Sequence, residues 1–211
     1  MKRGFFSTKS LTRLIFTVLF GITVLQSASS YAVQYKEDWY RLYHIHYAQT
    51  TDECLENIYY LERATKADFC NPLYAMAKIT TEEQWEKYRY LFQMHLNLKL
   101  IEQHLRLARI YDKKAAYFYD APWKDEYLRN LQTARTYYTI CYDYWQEASL
   151  WAEKSSTTNF RFLYITDQQA WEDERERIVT GELDYKAILD REITRLDKVI
   201  EDLEAMESKT Y

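Results

Sequence analysis

Glycine and proline are almost missing from this chain. In 211 residues glycine stands only at Gly4, Gly21 and Gly181, and proline only at Pro72 and Pro122. Sheets joined by tight turns, phosphate-cradling loops and strained nucleophile elbows rely on the positive-φ positions that glycine occupies at no steric cost, so these architectures are excluded. The three cysteines, Cys54, Cys70 and Cys141, are an odd number and show no CxxC spacing, which argues against a thiolate metal site. A formal charge of −4 is a poor match for nucleic acid. What remains is a chain of 47% apolar, 28% charged and 17% aromatic residues, with 21 Tyr and 6 Trp. That composition suits an all-α protein with a real core and few connections.

The front end has an order of its own. Lys2, Arg3, Lys9 and Arg13 form a basic stretch without an acid, the apolar run Leu14 to Leu25 follows, and Ser30 and Ala32 sit at small-x-small spacing. Basic, apolar and small residues in that order predict a secretory signal peptide over 1–32, with the mature chain starting near Val33. An uncleaved anchor is the alternative, although about twelve apolar residues fall short of the roughly twenty needed to span a bilayer. Cleavage would leave 24 basic against 32 acidic residues, a charge of −8. The expected location is therefore outside the cytoplasm, in a periplasm, with membrane contact only through the N-terminus if it is retained.

Start and stop signals divide the rest into helices. Tyr35 to Tyr47 reads as the first, ending near Ala48-Gln49-Thr50. Thr50-Thr51-Asp52-Glu53 and Thr80-Thr81-Glu82-Glu83 read as capping boxes opening two more. The first of these runs to about Ala67, and Asn71-Pro72 opens a short helix between them. Asp120-Ala121-Pro122 interrupts the long helix that follows, another runs from Trp123 to about Lys154, and Ser155 to Asn159 is a loop. Asp167 and Asp184 cap the last two, with Thr180-Gly181 between them. This predicts a helical-hairpin domain over 33–158 and a C-terminal helical extension over 159–211 packed on it.

Three of these helices carry countable seams. Leu91, Met94, Leu98, Ile101, Leu105 and Ala108, continuing through Tyr111, Ala115 and Phe118, alternate by three and four. Tyr127, Leu131, Ala134, Tyr138, Cys141, Trp145, Ala148 and Ala152 do the same, as do Leu189, Ile193, Leu196, Ile200 and Leu203. Such stripes zip helices together at shallow angles, and they place Cys141 inside as a small hydrophobe. Tyr137, Tyr144 and Trp151 fall seven apart on a different face. Tyr and Trp favour the boundary between an apolar body and a wet rim, so these three are the candidate partner-binding residues.

Residues 50–61 align with 80–91 at an offset of 30, and Leu105-x-x-Ala108-Arg109-x-Tyr111 echoes Leu131-x-x-Ala134-Arg135-x-Tyr137. Both suggest stacked hairpins that cannot bury their faces alone. The stretch Ala134-Arg135-Thr136-Tyr137-Tyr138, Trp145-Gln146-Glu147-Ala148 and Ala152-Glu153-Lys154 resembles the small-aromatic rhythm of tetratricopeptide-like proteins. The resemblance covers Thr80 to Lys154 without keeping the 34-residue period. In overall character the chain is also similar to the tetratricopeptide-like periplasmic proteins of the spirochaete flagellar-motor collar. That resemblance implies a scaffold joining other envelope proteins, flagellar-motor components among them, with no catalytic site and no cofactor.

The polar residues offer no local site. His44 and His46 are about 200° apart on a helix and His95 and His104 half a turn apart, so neither pair forms a metal clamp, and no HExxH, EF-hand or GxSxG string occurs. The expected function is a non-enzymatic interaction scaffold. Its alternative is a periplasmic binding protein or chaperone that encloses a small molecule or an unfolded client among the aromatics. A large aromatic cavity would favour the alternative, an exposed aromatic groove the scaffold, and three or more polar side chains converging in one cleft an enzyme.

Overall fold

The computed structural model describes residues 33–114, 123–156 and 169–206. The predicted signal peptide, Ala115, Phe118, Asp120-Ala121-Pro122, the loop residues Thr157 to Asn159 and the cap Asp167 lie outside the described residues. Within them are six α-helices and no strand: α1 Lys36–Gln49, α2 Cys54–Lys66, α3 Glu82–Lys114, α4 Lys124–Ser155, α5 Gln169–Val179 and α6 Tyr185–Ala205, with a 3₁₀ turn at Pro72–Tyr74. The fold is all-α, as the scarcity of glycine and proline requires. No helix among the described residues is long and apolar enough to cross a membrane.

Helix α3 is the axis. It runs antiparallel to α4, with Tyr90 stacked on Trp151 at one end and Tyr111 on Tyr137 at the other. Every seam residue of α3 from Leu91 to Ala108 is buried, as are Leu131, Ala134, Tyr138, Cys141, Ala148 and Ala152 of α4. Alanines facing leucines let the two backbones approach closely. Helix α6 returns antiparallel along α4, its Leu189, Leu196 and Leu203 buried and its polar edge tied by Arg135 to Asp197 at 2.6 Å and Tyr142 to Asp190 at 2.6 Å. The α1–α2 hairpin covers the opposite side of α3, and α5 packs against both α3 and α4.

The quoted tetratricopeptide-like residues, Ala134 to Lys154, all lie on the uninterrupted 32-residue α4. The α3–α4 hairpin is built from helices of 33 and 32 residues, and the α1–α2 hairpin from helices of 14 and 13.

The helix ends show how local chemistry sets the boundaries. Asp184 accepts from the Ala187 amide at 3.2 Å and caps α6. Gly181, at φ +77°, ends α5 in the left-handed conformation that closes a helix C-terminus. Thr81 accepts from the Gln84 amide, and Gln84 reaches back to the Thr80 amide at 2.8 Å, so a box does open α3, with Gln84 as its reciprocal member. The expected box at Thr50-Thr51 is not formed. Both hydroxyls turn backward, onto the carbonyls of His46 and Tyr47 at 3.0 Å, and serve the end of α1. Glu53 is the N-cap of α2 without a side-chain cap bond. The short helix expected after Asn71 is a single 3₁₀ turn, capped by the Asn71 side chain on the Leu73 amide at 3.0 Å.

Candidate functional site

A cleft of about 770 Å³ lies between α1, α3 and α5, lined chiefly by Tyr40, Arg41, His44, His95, Lys99, Trp171 and Glu174. Three stripes build it. Helix α3 presents Tyr88, Phe92, His95 and Lys99, spaced four, three and four. Helix α5 presents Trp171 and Glu174, three apart. Helix α1 turns Tyr40 and Tyr43 inward, both buried. Aromatic packing forms the wall: Phe92 stacks on Trp171 at 5.0 Å between centroids and 8° between planes, and Tyr40 meets Phe92 edge-on at 5.1 Å. Edge-to-face and offset geometries suit the ring quadrupoles.

A polar chain threads this wall. The Tyr40 hydroxyl lies 2.6 Å from His95 Nε2, and His95 Nδ1 lies 2.6 Å from Glu174 Oε2. A carboxylate only accepts, so Nδ1 carries the proton facing Glu174, and Nε2 either accepts from the Tyr40 hydroxyl or, in the imidazolium, donates to it. Burial, reinforced by neighbouring acids, drives the Tyr40 hydroxyl far above the usual phenol range, and a hydrogen bond from Trp171 opposes this only in part. Burial would raise the Glu174 carboxyl, but His95 and Lys99 outweigh it and hold the group below its ordinary value. Lys99 sits 2.9 Å from Glu102 and 3.7 Å from Glu174. There burial, which disfavours its charge, is overcome by the two carboxylates, and the ammonium stays charged. Arg41 and His44 stand exposed on the rim.

Deeper on the same side lies a second polar layer. Lys87 of α3 pairs with Glu172 of α5, and their side chains are 5% and 0% exposed. Glu172 also takes Arg175 at 3.0 Å. Glu37, itself buried, accepts from Tyr88 at 3.1 Å and from the Cys70 amide at 3.0 Å. Lys36 donates to the carbonyls of Ala64 and Thr65 and so caps the C-terminus of α2. Its amine is pushed down to about 8 by burial, against the opposing pull of Glu37 and Asp68.

The candidate partner-binding residues sit elsewhere and are half-buried. Tyr137 stacks on Tyr111 at 5.8 Å, Tyr144 lies 5.3 Å from the His104 ring with its hydroxyl 3.4 Å from Glu62, and Trp151 stacks on Tyr90 at 5.6 Å with Lys154 over its face. They form one row along α4, with each ring already packed inside the chain. His104 is buried with Nδ1 donating to the Leu100 carbonyl at 2.8 Å, and burial lowers its pKa. The three cysteines are free and buried. His95 is the residue that comparing histidine pairs misses, because its partners lie on α1 and α5. The visible signal is the second stripe of α3, Tyr88 to Lys99, running beside the main seam.

Residues 83–206 match the family model of a domain of unknown function, DUF8513. The chain belongs to this family. No curated protein and no solved structure matches it. The DUF8513 stretch takes in α3 to α6, and with them His95, Lys99, Trp171 and Glu174, and it crosses residue 158, where a domain boundary was expected. Tyr40, Arg41 and His44 lie outside it, on the α1–α2 hairpin. The cleft thus forms where that hairpin meets the DUF8513 helices.

Proposed function

We propose that this is an exported, non-enzymatic binding protein whose cleft between α1, α3 and α5 takes a small molecule with an aromatic body and an acidic end. The carrying observation is the cleft itself. Its volume of about 770 Å³ lies in the range of small-molecule sites, which are mostly apolar with a few convergent polar groups. Trp171 and Tyr40, both buried, form its apolar floor, Arg41 on the rim supplies positive charge, and Lys99 and Glu174, the one acid among the described lining residues, are engaged with each other. Four polar side chains, Tyr40, His95, Lys99 and Glu174, do converge here, the arrangement that an enzyme would need. Binding is the better reading because the Tyr40–His95–Glu174 chain is internally matched, donor to acceptor, and Tyr40 and His95 are buried. Such a chain holds a wall rigid.

The test is a titration of isotope-labelled protein with indole-3-acetate and, in parallel, uncharged indole-3-acetamide, followed by NMR. Shifts clustered at residues 40–44, 95–99 and 171–174, stronger for the acid and weakened about tenfold in Arg41→Ala, support the reading. Perturbations scattered over the surface, or equal response to the amide, refute it.

The interaction scaffold, the first expectation from the sequence, becomes the second reading here, supported by Leu73 and Tyr74, 85% and 73% exposed on the 3₁₀ turn, and by Leu55 and Tyr59 exposed on α2. Envelope proteins would dock there, including motor components if the collar resemblance carries over. Loss of co-purifying partners in Leu73→Asp/Tyr74→Asp supports it, and normal motility in a deletion strain refutes the collar version.

A further inference from the structure

The turn between α1 and α2 gathers a second group of polar side chains, on a different face of α1 from the cleft. His46 comes from the last turn of α1, Glu53 is the N-cap of α2, and Glu56 sits in the first turn of α2. His46 Nε2 lies 3.5 Å from Glu53 Oε2 and 3.2 Å from Glu56 Oε2, and one ligand atom from each of the three falls within 4.8 Å of the others. Ligands bound tetrahedrally at about 2.0–2.1 Å stand roughly 3.3–3.4 Å apart, so these two separations already match two edges of such a site.

The surroundings orient the ligands. His46 Nδ1 is 3.0 Å from Asn57 Oδ1. The Asn57 amide is turned by its own donation to Gln103 Oε1 at 3.4 Å, in a side chain with no exposure to solvent. Asn57 Oδ1 can only accept, so Nδ1 carries a proton, and Nε2 presents to the two carboxylates either a second proton or a lone pair. The Asn57 carbonyl oxygen thus does for the far nitrogen of the imidazole what a carboxylate or backbone carbonyl does behind a metal-binding histidine. Glu56 is held in the same way, its Oε1 accepting from the Tyr60 hydroxyl at 2.9 Å while Oε2 faces His46. Thr50 Oγ1, 3.2 and 2.9 Å from the two ring nitrogens, donates instead to the His46 carbonyl.

We propose that His46, Glu53 and Glu56 bind a divalent transition-metal ion of the zinc class, with water completing the coordination. A neutral imidazole and two carboxylates carry a charge of −2, which balances the ion. The carboxylates are 60% and 47% exposed, which leaves an open side for ion and water. One nitrogen ligand favours Zn²⁺, Co²⁺ or Cu²⁺ over Mg²⁺ and Ca²⁺, which prefer all-oxygen sites. None of the three lines the cleft, so the site does not rest on the function proposed for it.

The experiment is calorimetric titration of the full chain, free of affinity tags, with Zn²⁺ and with Mg²⁺, together with ¹⁵N spectra of its histidines. One equivalent of Zn²⁺ is expected, no saturation by Mg²⁺, and a large shift of His46 Nε2 with Nδ1 still protonated. Glu53→Gln/Glu56→Gln is expected to weaken Zn²⁺ binding at least tenfold, and His46→Gln more. The paired glutamine variant replaces exposed groups and keeps the test valid if His46→Gln fails to fold. Absence of saturable zinc binding up to about 1 mM, binding unchanged in the glutamine variant, or a shift at Nδ1 in place of Nε2 would overturn the assignment.

Discussion

The two sides of α3 are held by different chemistry. Toward α4 the contact is a zipper of Leu91, Met94, Leu98, Ile101, Leu105 and Ala108 against Leu131, Ala134, Tyr138, Cys141, Ala148 and Ala152. Toward α1 and α5 it is threaded with Lys36, Glu37, Lys87, His95, Glu172 and Glu174, all but Glu174 buried. Apolar burial is non-directional and tolerates a repacked neighbour. Buried charges stabilise only when paired, and they cost several kcal/mol each when a partner is lost. A chain that needed only stability would have used the zipper on both sides. The charged layer beside the cleft instead fixes its partners by geometry, where the zipper fixes only volume.

The sharpest way to break this comparison is the Lys87–Glu172 pair. Glu172→Leu removes a carboxylate from a lysine that is almost wholly enclosed, and the expected loss is about 3–5 kcal/mol. Lys87→Met/Glu172→Leu is expected to recover most of it, because an apolar pair fills the same space without charge. The midpoint of urea unfolding for the two variants measures both numbers. A double variant as unstable as the single one would show that this pair holds the fold in a way an apolar pair cannot replace.

On the zipper side no such rescue is expected. Leu98→Ala leaves a void between α3 and α4 at a residue 2% exposed and is expected to cost about 3 kcal/mol, with no effect on ligand titration at Arg41 or Trp171. Comparing the two variants by the same unfolding measurement separates volume from charge.

The same division explains what could be read in the residues beforehand. The zipper was legible because three-four spacing is the projection of helix packing onto one dimension: the α3 seam is buried wherever it is described, Tyr111 apart, and Leu189, Leu196 and Leu203 follow. The charged layer was not. His95 and Glu174 are 79 residues apart, and nothing local to either announces the other. Two histidines compared with each other could not reveal that His46 meets Glu53 and Glu56 across a turn. Thr50 and Thr51 misled for a related reason: a hydroxyl next to a helix boundary can serve the helix behind it as well as the one ahead, and spacing does not say which. Tyr137, Tyr144 and Trp151 did fall on one face, but only the structure shows the rings of α3 packed against them.

A pH series sharpens the comparison further. Lys36 is held down to about 8 by burial, below its unfolded value of about 10.4. The fold therefore gains stability as pH rises from about 8 toward 10, by about 2 kcal/mol from this group. Tyr40, Tyr43 and Tyr88 are raised by burial, so their contribution is whole below about pH 10 and is lost above it. The thiols of Cys54, Cys70 and Cys141, also raised by burial, pull the other way from about pH 8.5 upward, so the Lys36 gain is read as a difference between two proteins. Between pH 8 and 10 the stability of the unsubstituted chain should improve relative to Lys36→Met by about 2 kcal/mol, whatever the substitution does at neutral pH. A difference that stays constant with pH would mean that Lys36 is not the group responsible.

The smallest effect belongs to Cys141, the one thiol in the zipper. Its sulfur lies 3.3 Å from the Tyr137 carbonyl, deep between α3 and α4, and burial pushes the thiol up to about 12. If this side is governed by volume alone, Cys141→Ala costs about 1 kcal/mol, and the thiol reacts with iodoacetamide only through unfolding. Labelling followed by mass spectrometry at neutral pH should then give a rate for Cys141 that falls when the fold is stabilised and is indifferent to Arg41→Ala. Rapid labelling of native protein would mean that α3 and α4 separate locally, and that the zipper opens more readily than the charged layer opposite it.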